Sequence, residues 1–173
     1  MTITRRDVIG IGGGILLAAL PRRYARGADL VEVEMRGKDD GAHVWFDPIG
    51  IRVSPGQTVR WTNRDTANSH TTTSYHPAIF ERPLRIPPGA NPWDSDYLLP
   101  GQSFSVTFDR EGVYDYYCVP HEHAGMVGRI VVGMPTPPAP SAEAGSANPL
   151  PDVALNAFPA VEEILAKGIV RRA

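Results

Sequence analysis

The chain has 173 residues, of which 42% are hydrophobic and 21% are charged, a composition that is ordinary for a globular domain. Its 17 glycines and 17 prolines exclude a fold of long helices and favour short elements joined by many turns. The net charge of −2 gives no electrostatic reason to expect a nucleic acid as partner. A single cysteine excludes a disulfide within the chain.

The first 27 residues have the character of an export signal. The pair Arg5-Arg6 precedes a weakly apolar, glycine-rich stretch over residues 8–20, an arrangement that resembles a twin-arginine signal. That stretch is too short to span a membrane, and we expect no membrane span in the exported chain. We therefore predict that residues 1–27 direct the chain to the periplasm or another extracytoplasmic compartment. In such an oxidising compartment, a lone cysteine is expected to be buried or held as a metal ligand.

Residues 28–133 have the pattern of a single domain built from short strands. Apolar and polar residues alternate around residues 31–35, 59–61 and 104–108, as in strands with one buried face. The pairs Pro55-Gly56 and Pro100-Gly101 suit the central positions of type II turns. Roughly seven or eight such strands, with no helix between them, predict an all-β fold, a Greek-key antiparallel β-sandwich.

Two segments depart from the strand pattern. Prolines recur through residues 76–97 and predict a long irregular loop, which is either functional or packed over one end of the sandwich. Residues 134–152 have the composition of a proline-rich linker. Residues 153–173 predict a short amphipathic C-terminal helix, with Pro159 near its start. We expect this helix to fold back on the sandwich; a docking segment for a partner is the alternative.

The residues that carry chemistry lie between the last two predicted strands, in the sequence Cys118-Val119-Pro120-His121-Glu122-His123-Ala124-Gly125-Met126. A thiolate, an imidazole and a thioether thus fall close together, and His70 follows an earlier strand whose loop can meet this one. Two histidines and a cysteine with a weak methionine contact make an electron-transfer copper site. By spacing, either His121 or His123 could be the second histidine, and the tight turn at Pro120 favours His121.

These residues resemble those of type 1, or blue, copper proteins, the cupredoxins, in their plastocyanin and pseudoazurin branch. The resemblance extends over about residues 31–132 and is most specific in the Cys-x2-His-x4-Met spacing, with Gly112-Val113-Tyr114 before it. It implies that Tyr114 forms the family's tyrosine corner. It also implies one copper ion per chain, cycling between Cu(I) and Cu(II), with the ligands His70, Cys118, His121 and Met126.

The resemblance implies an extracytoplasmic, monomeric carrier that moves one electron between a donor and an acceptor redox protein, and not an enzyme. Five histidines, with His121-Glu122-His123 as the sole His-x-His pair, are too few for a copper oxidase or nitrite reductase. A copper-storage or copper-delivery protein of the same fold is the alternative, and it would favour more methionines or cysteines. Thr71 replaces the asparagine that commonly follows the first histidine ligand, but its hydroxyl can still bridge the two ligand loops.

Overall fold

The computed structural model describes residues 30–38, 40–135 and 148–172. The predicted export signal and the centre of the predicted linker, residues 136–147, lie outside the described residues. Within the described ranges the chain forms nine strands and two short α-helices. In chain order these are β1 (Val31–Lys38), β2 (His43–Asp47), β3 (Gly50–Val53), β4 (Gln57–Asn63), β5 (Thr73–Ser74), β6 (Ser103–Phe108), β7 (Gly112–Tyr117), β8 (Val127–Val132), α1 (Asp152–Ala157), α2 (Val161–Lys167) and β9 (Ile169–Val170).

The strands form two sheets, with the orders β2-β1-β4-β6 and β5-β7-β8-β3-β9. The predicted all-β sandwich is confirmed. The pairing within the sheets differs from the predicted antiparallel arrangement, since β1 pairs with β4 and β3 pairs with β8 in parallel. Parallel neighbours need a crossover connection. The chain supplies one by passing to β3 in the second sheet before β4 returns beside β1.

The core lies between the sheets, where the alternating residues of the strands meet. Val33 and Met35 of β1 and Val59 and Trp61 of β4 are completely buried, as their alternation predicts. The Trp61 ring packs edge-on against Tyr116 of β7, with ring centroids 5.3 Å apart. This contact joins the two sheets close to Cys118, which lies two residues after Tyr116 in the chain.

The proline-rich segment over residues 76–97 packs against the sandwich. Ile86 and Trp93 are buried in the main core, and the Trp93 amide donates to the Ser74 hydroxyl at 2.9 Å. The segment is therefore an irregular part of the domain that packs on the core beside strand β5.

The C-terminal segment contains two short helices and a strand, where the sequence predicts one helix over residues 153–173. Pro159 lies between α1 and α2, and Gly168, at φ 74°, ends α2. The segment folds back as expected, because β9 pairs antiparallel with β3 and Ile164 of α2 is completely buried. Among the described residues, no helix has both the length and the apolar character needed to cross a membrane.

Candidate metal centre

Two loops meet at one end of the sandwich. The first holds His70, which follows β4 and pairs with Leu98 through two backbone hydrogen bonds, of 3.1 and 2.8 Å. The second, residues 118–126, joins β7 to β8 and contains the 3-10 helix Val119–Ala124; we call it the ligand loop. Its first and last residues are joined by the Cys118 amide, which donates to the Met126 carbonyl at 3.0 Å.

Three side-chain atoms of these loops form a compact triangle. The His70 Nδ1 lies 3.1 Å from the His121 Nδ1, and the Cys118 Sγ lies 3.5 Å from each of these nitrogens. His70 and Cys118 are completely buried, whereas His121 is half-buried at the surface. Among the described residues, this is the only group of three or more histidine, cysteine or acidic side chains close enough to hold a metal ion.

The size of the triangle fits a transition metal. A point equidistant from the three atoms lies about 2 Å from each, close to the ~2.0–2.3 Å of metal bonds to nitrogen and sulfur. Two imidazoles and one thiolate are also the donor set of a copper site that works between Cu(I) and Cu(II). The residues therefore fit copper in both number and spacing.

Met126 is the last residue of the ligand loop. Its amide donates to the His121 carbonyl at 3.1 Å, so its backbone is bonded to both His121 and Cys118. Its side chain is completely buried within the main core. The axial role of Met126 stays a prediction, and its burial beside both residues of the loop is consistent with it.

His123 lies outside the triangle. It is exposed on the 3-10 helix, two residues beyond His121, and it does not belong to the close group of ligand atoms. The structure thus brings His70, Cys118 and His121 together and leaves His123 at the surface. The ligand assignment stays a prediction, and this placement supports it.

Thr71 joins the two loops, as the sequence analysis expects of its hydroxyl. The Val119 amide donates to Thr71 Oγ1 at 2.9 Å, and the Thr71 amide donates to the Cys118 Sγ at 3.3 Å. Burial raises the pKa of the Cys118 thiol to about 12, against the lowering effect of the hydrogen bonds from the Thr71 and His121 amides. Without a metal the cysteine is therefore a thiol, and a metal must displace its proton.

The imidazoles of the two predicted histidine ligands favour the neutral form. Burial lowers the pKa of His70, although its hydrogen bond to the Asp65 carboxylate acts in the opposite direction. Burial and the nearby His70 likewise lower the pKa of His121. A neutral imidazole has a lone pair to give to a metal, so both rings are ready to bind one near pH 7.

A buried ion pair holds the outer side of the ligand loop. The Arg82 guanidinium of the proline-rich segment binds the Glu122 carboxylate, which also accepts a hydrogen bond from the Tyr75 hydroxyl at 2.7 Å. Arg82 lies over the stacked rings of Tyr75 and Tyr117, the residue before Cys118. Helix α1 packs on the same side, because Ala154 lies in one buried cluster with Tyr75 and Tyr117.

The tyrosine corner implied by the resemblance is present at the opposite end of β7. The Tyr114 hydroxyl donates to the Arg110 carbonyl four residues earlier, at 2.8 Å. Sequence reasoning missed Asp65, Arg82, Glu122 and Tyr75, the residues that surround the ligands. The acidic residue Glu122 within the ligand loop was the one available signal, but its partner Arg82 lies 40 residues away in the chain.

A β-sandwich that carries two imidazoles, a cysteine and a buried methionine at one end has the side chains of a mononuclear copper protein. Comparison with known proteins gives the same class. The family of copper binding proteins described as the plastocyanin/azurin family matches residues 31–133. The chain belongs to this family.

The alignments with individual relatives extend over most of the predicted domain. The chain is 39% identical over 100 residues to plastocyanin of Scenedesmus fuscus, covering 56% of this chain and 93% of that protein. It is 31% identical over 125 residues to pseudoazurin of Methylorubrum extorquens, covering 71% of this chain and 75% of that protein. The crystal structure of pseudoazurin from Methylobacterium extorquens AM1 superposes with a TM-score of 0.54 and 29% identity, covering 74% of this chain and 94% of that chain.

Proposed function

We propose that the protein is a one-electron carrier with a type 1 copper site held by His70, Cys118, His121 and Met126. The observation that carries this proposal is the triangle of His70 Nδ1, Cys118 Sγ and His121 Nδ1. Copper bound there supplies reversible exchange of one electron between Cu(I) and Cu(II). Family membership supports copper as the cofactor.

The residues around the triangle serve this role in distinct ways. The Thr71 amide donates to the Cys118 sulfur and so stabilises its thiolate form. His70 and Cys118 are completely buried, so their side chains are shielded from water. His121 is the one half-buried member, and its ring is therefore the shortest route between the site and a docked redox protein.

The ligand assignment is tested by spectroscopy of copper-loaded variants. The oxidised wild-type protein is expected to show an intense blue thiolate-to-copper band, and Cys118→Ser is expected to abolish it. His121→Ala should lose the type 1 electron paramagnetic resonance signal, whereas the matched variant His123→Ala should keep it. The reverse pattern for the two histidine variants would transfer the ligand role to His123. A blue Cys118→Ser protein would refute the whole proposal.

The axial role of Met126 needs a separate measurement. Met126→Gln is expected to keep a type 1 spectrum but lower the midpoint potential, because an oxygen donor favours Cu(II) over Cu(I). An unchanged potential would mean that Met126 serves the core alone.

We further propose that the carrier works as a monomer outside the cytoplasm, between a donor and an acceptor redox protein. The arginine pair Arg5-Arg6 and the lone, buried cysteine support this location. Replacing both arginines with lysine keeps the charge and is expected to stop export. The test is the distribution of the protein between periplasmic and cytoplasmic fractions of a bacterial host. A wild-type protein found in the cytoplasmic fraction would refute the location, and unchanged export of the variant would refute the twin-arginine signal.

A further inference from the structure

A buried carboxylate lies behind His70, on the side of the ring away from the triangle. The Asp65 side chain is 3% exposed, and its Oδ2 lies 2.9 Å from the His70 Nε2. Asp65 as an ionised carboxylate can only accept this hydrogen bond, so the His70 Nε2 carries the proton. The other ring nitrogen, Nδ1, then presents its lone pair to Cys118 and His121.

Other donors keep Asp65 in place and in its charged form. The Asn68 side-chain amide donates to Asp65 Oδ2 at 2.9 Å, and the Ala67 backbone amide donates to Oδ1 at 2.8 Å. Both groups are hydrogen-bond donors, and hydrogen bonds donated to a carboxylate favour its ionised form. The carboxylate is therefore a fixed negative charge in contact with one predicted ligand.

Strand β1 holds the carboxylate against His70 from the other side. Gly37 of β1 lies so close that a Cβ atom built on it would be 2.0 Å from Asp65 Oδ2. Any side chain at position 37 must therefore displace the carboxylate. Only a glycine at position 37 leaves enough room for the Asp65 carboxylate to contact His70.

We propose that Asp65 is a positioning residue that fixes the orientation of His70 and lowers the reduction potential of the copper site. Its hydrogen bond makes the imidazole a stronger electron donor, and its buried charge favours Cu(II) over Cu(I). This inference rests on the proposed copper site.

The test compares midpoint potentials of copper-loaded variants by spectroelectrochemistry, following the blue band. Asp65→Asn removes the charge while keeping an oxygen that can accept from His70. We expect its affinity for Cu(II), relative to Cu(I), to fall about tenfold, which raises the potential by about 59 mV for one electron. Asp96→Asn is the matched control, because Asp96 is exposed and undergoes the same change of charge without touching a ligand. Its potential is expected to change much less.

A second variant disturbs the contact between Asp65 and His70 without removing the carboxylate. Gly37→Ala is expected to displace Asp65 from His70 and to raise the potential in the same direction, and it decides the question if Asp65→Asn does not fold. Blue variants at both positions with the wild-type potential would overturn the inference, even if their melting temperatures fall. A wild-type protein that binds copper without a blue band would overturn the proposed function itself.

Discussion

Replacing Thr71 with valine should weaken the link between the two loops of the site without removing a ligand. Thr71 is 1% exposed, and its Oγ1 accepts from the Val119 amide at 2.9 Å and pairs with the Thr73 hydroxyl at 2.9 Å. Valine has nearly the same shape, so the packing is kept and the hydrogen bonds are lost. The Thr71 amide still donates to the Cys118 sulfur, because that donor belongs to the backbone.

The magnitude follows from the groups that lose a partner. The Val119 amide is left without its acceptor in a half-buried position, which costs about 1–2 kcal/mol. The Thr73 hydroxyl still donates to Asp94 Oδ1 at 2.8 Å. Loss of the hydrogen bond between Thr71 and Thr73 therefore adds little to the cost. For a domain of this size we expect the melting temperature of the copper-loaded protein to fall by about 3–8 °C.

Thermal melts followed by circular dichroism and by the blue band test this prediction. Thr107→Val is the matched control, because it removes an exposed hydroxyl that pairs with Thr58 at 2.8 Å on the sheet surface. Equal melting temperatures for the two variants would refute the role of the Thr71 hydroxyl. Loss of the blue band in Thr71→Val would refute the separate view that the backbone amide supports the sulfur.

Three further predictions concern the thiol, the ion pair and the metal. Because the pKa of Cys118 is raised to about 12, Cu(II) binding near pH 8 should release about one proton per copper in an indicator titration. Release of no proton would mean that the thiol is not a ligand. Arg82→Met leaves the buried Glu122 carboxylate without its cationic partner and should lower the free energy of unfolding in urea by about 3–5 kcal/mol. Arg60→Met, at an exposed pair with Glu32, is the comparison that should change stability little. Finally, the metal-free protein should melt cooperatively but at a lower temperature, since ligand at 1,000 times its Kd adds about 4 kcal/mol.

The parts of the fold that depend on neighbouring residues were predictable. Pro55-Gly56 predicts a type II turn, and in the structure Gly56 has φ 87° while the Gln57 amide donates to the Ser54 carbonyl at 3.0 Å. The spacing of Cys118 and His121 likewise lies within one loop, so local reasoning places both at one point. His70 joins them because the sandwich topology returns its loop to the same end.

The parts that depend on distant contacts were not predictable. The parallel pairing of β1 with β4 follows from the path of the chain between the two sheets. The alternation of apolar and polar residues predicts a strand, but it does not predict which strand is its neighbour. The contacts of Asp65 with Gly37, and of Glu122 with Arg82, join residues 28 and 40 positions apart in the sequence. An isolated aspartate or glutamate has the ordinary pattern of a surface residue, and its burial emerges only when the other segment packs over it.

The expected stability of the metal-free fold follows from how the ligand residues are held. The backbones of His70, Cys118, His121 and Met126 are each fixed by hydrogen bonds to other protein groups, and the His70 ring is fixed by Asp65. The main core lies between the sheets, and apart from Cys118 and Met126 its residues are not predicted ligands. Loss of copper therefore removes binding energy but not the contacts that position the ligands, so little reorganisation is expected when the metal changes charge. A metal-free protein without a cooperative melt would contradict this, because it would show that copper, rather than the core and these hydrogen bonds, organises the end of the sandwich.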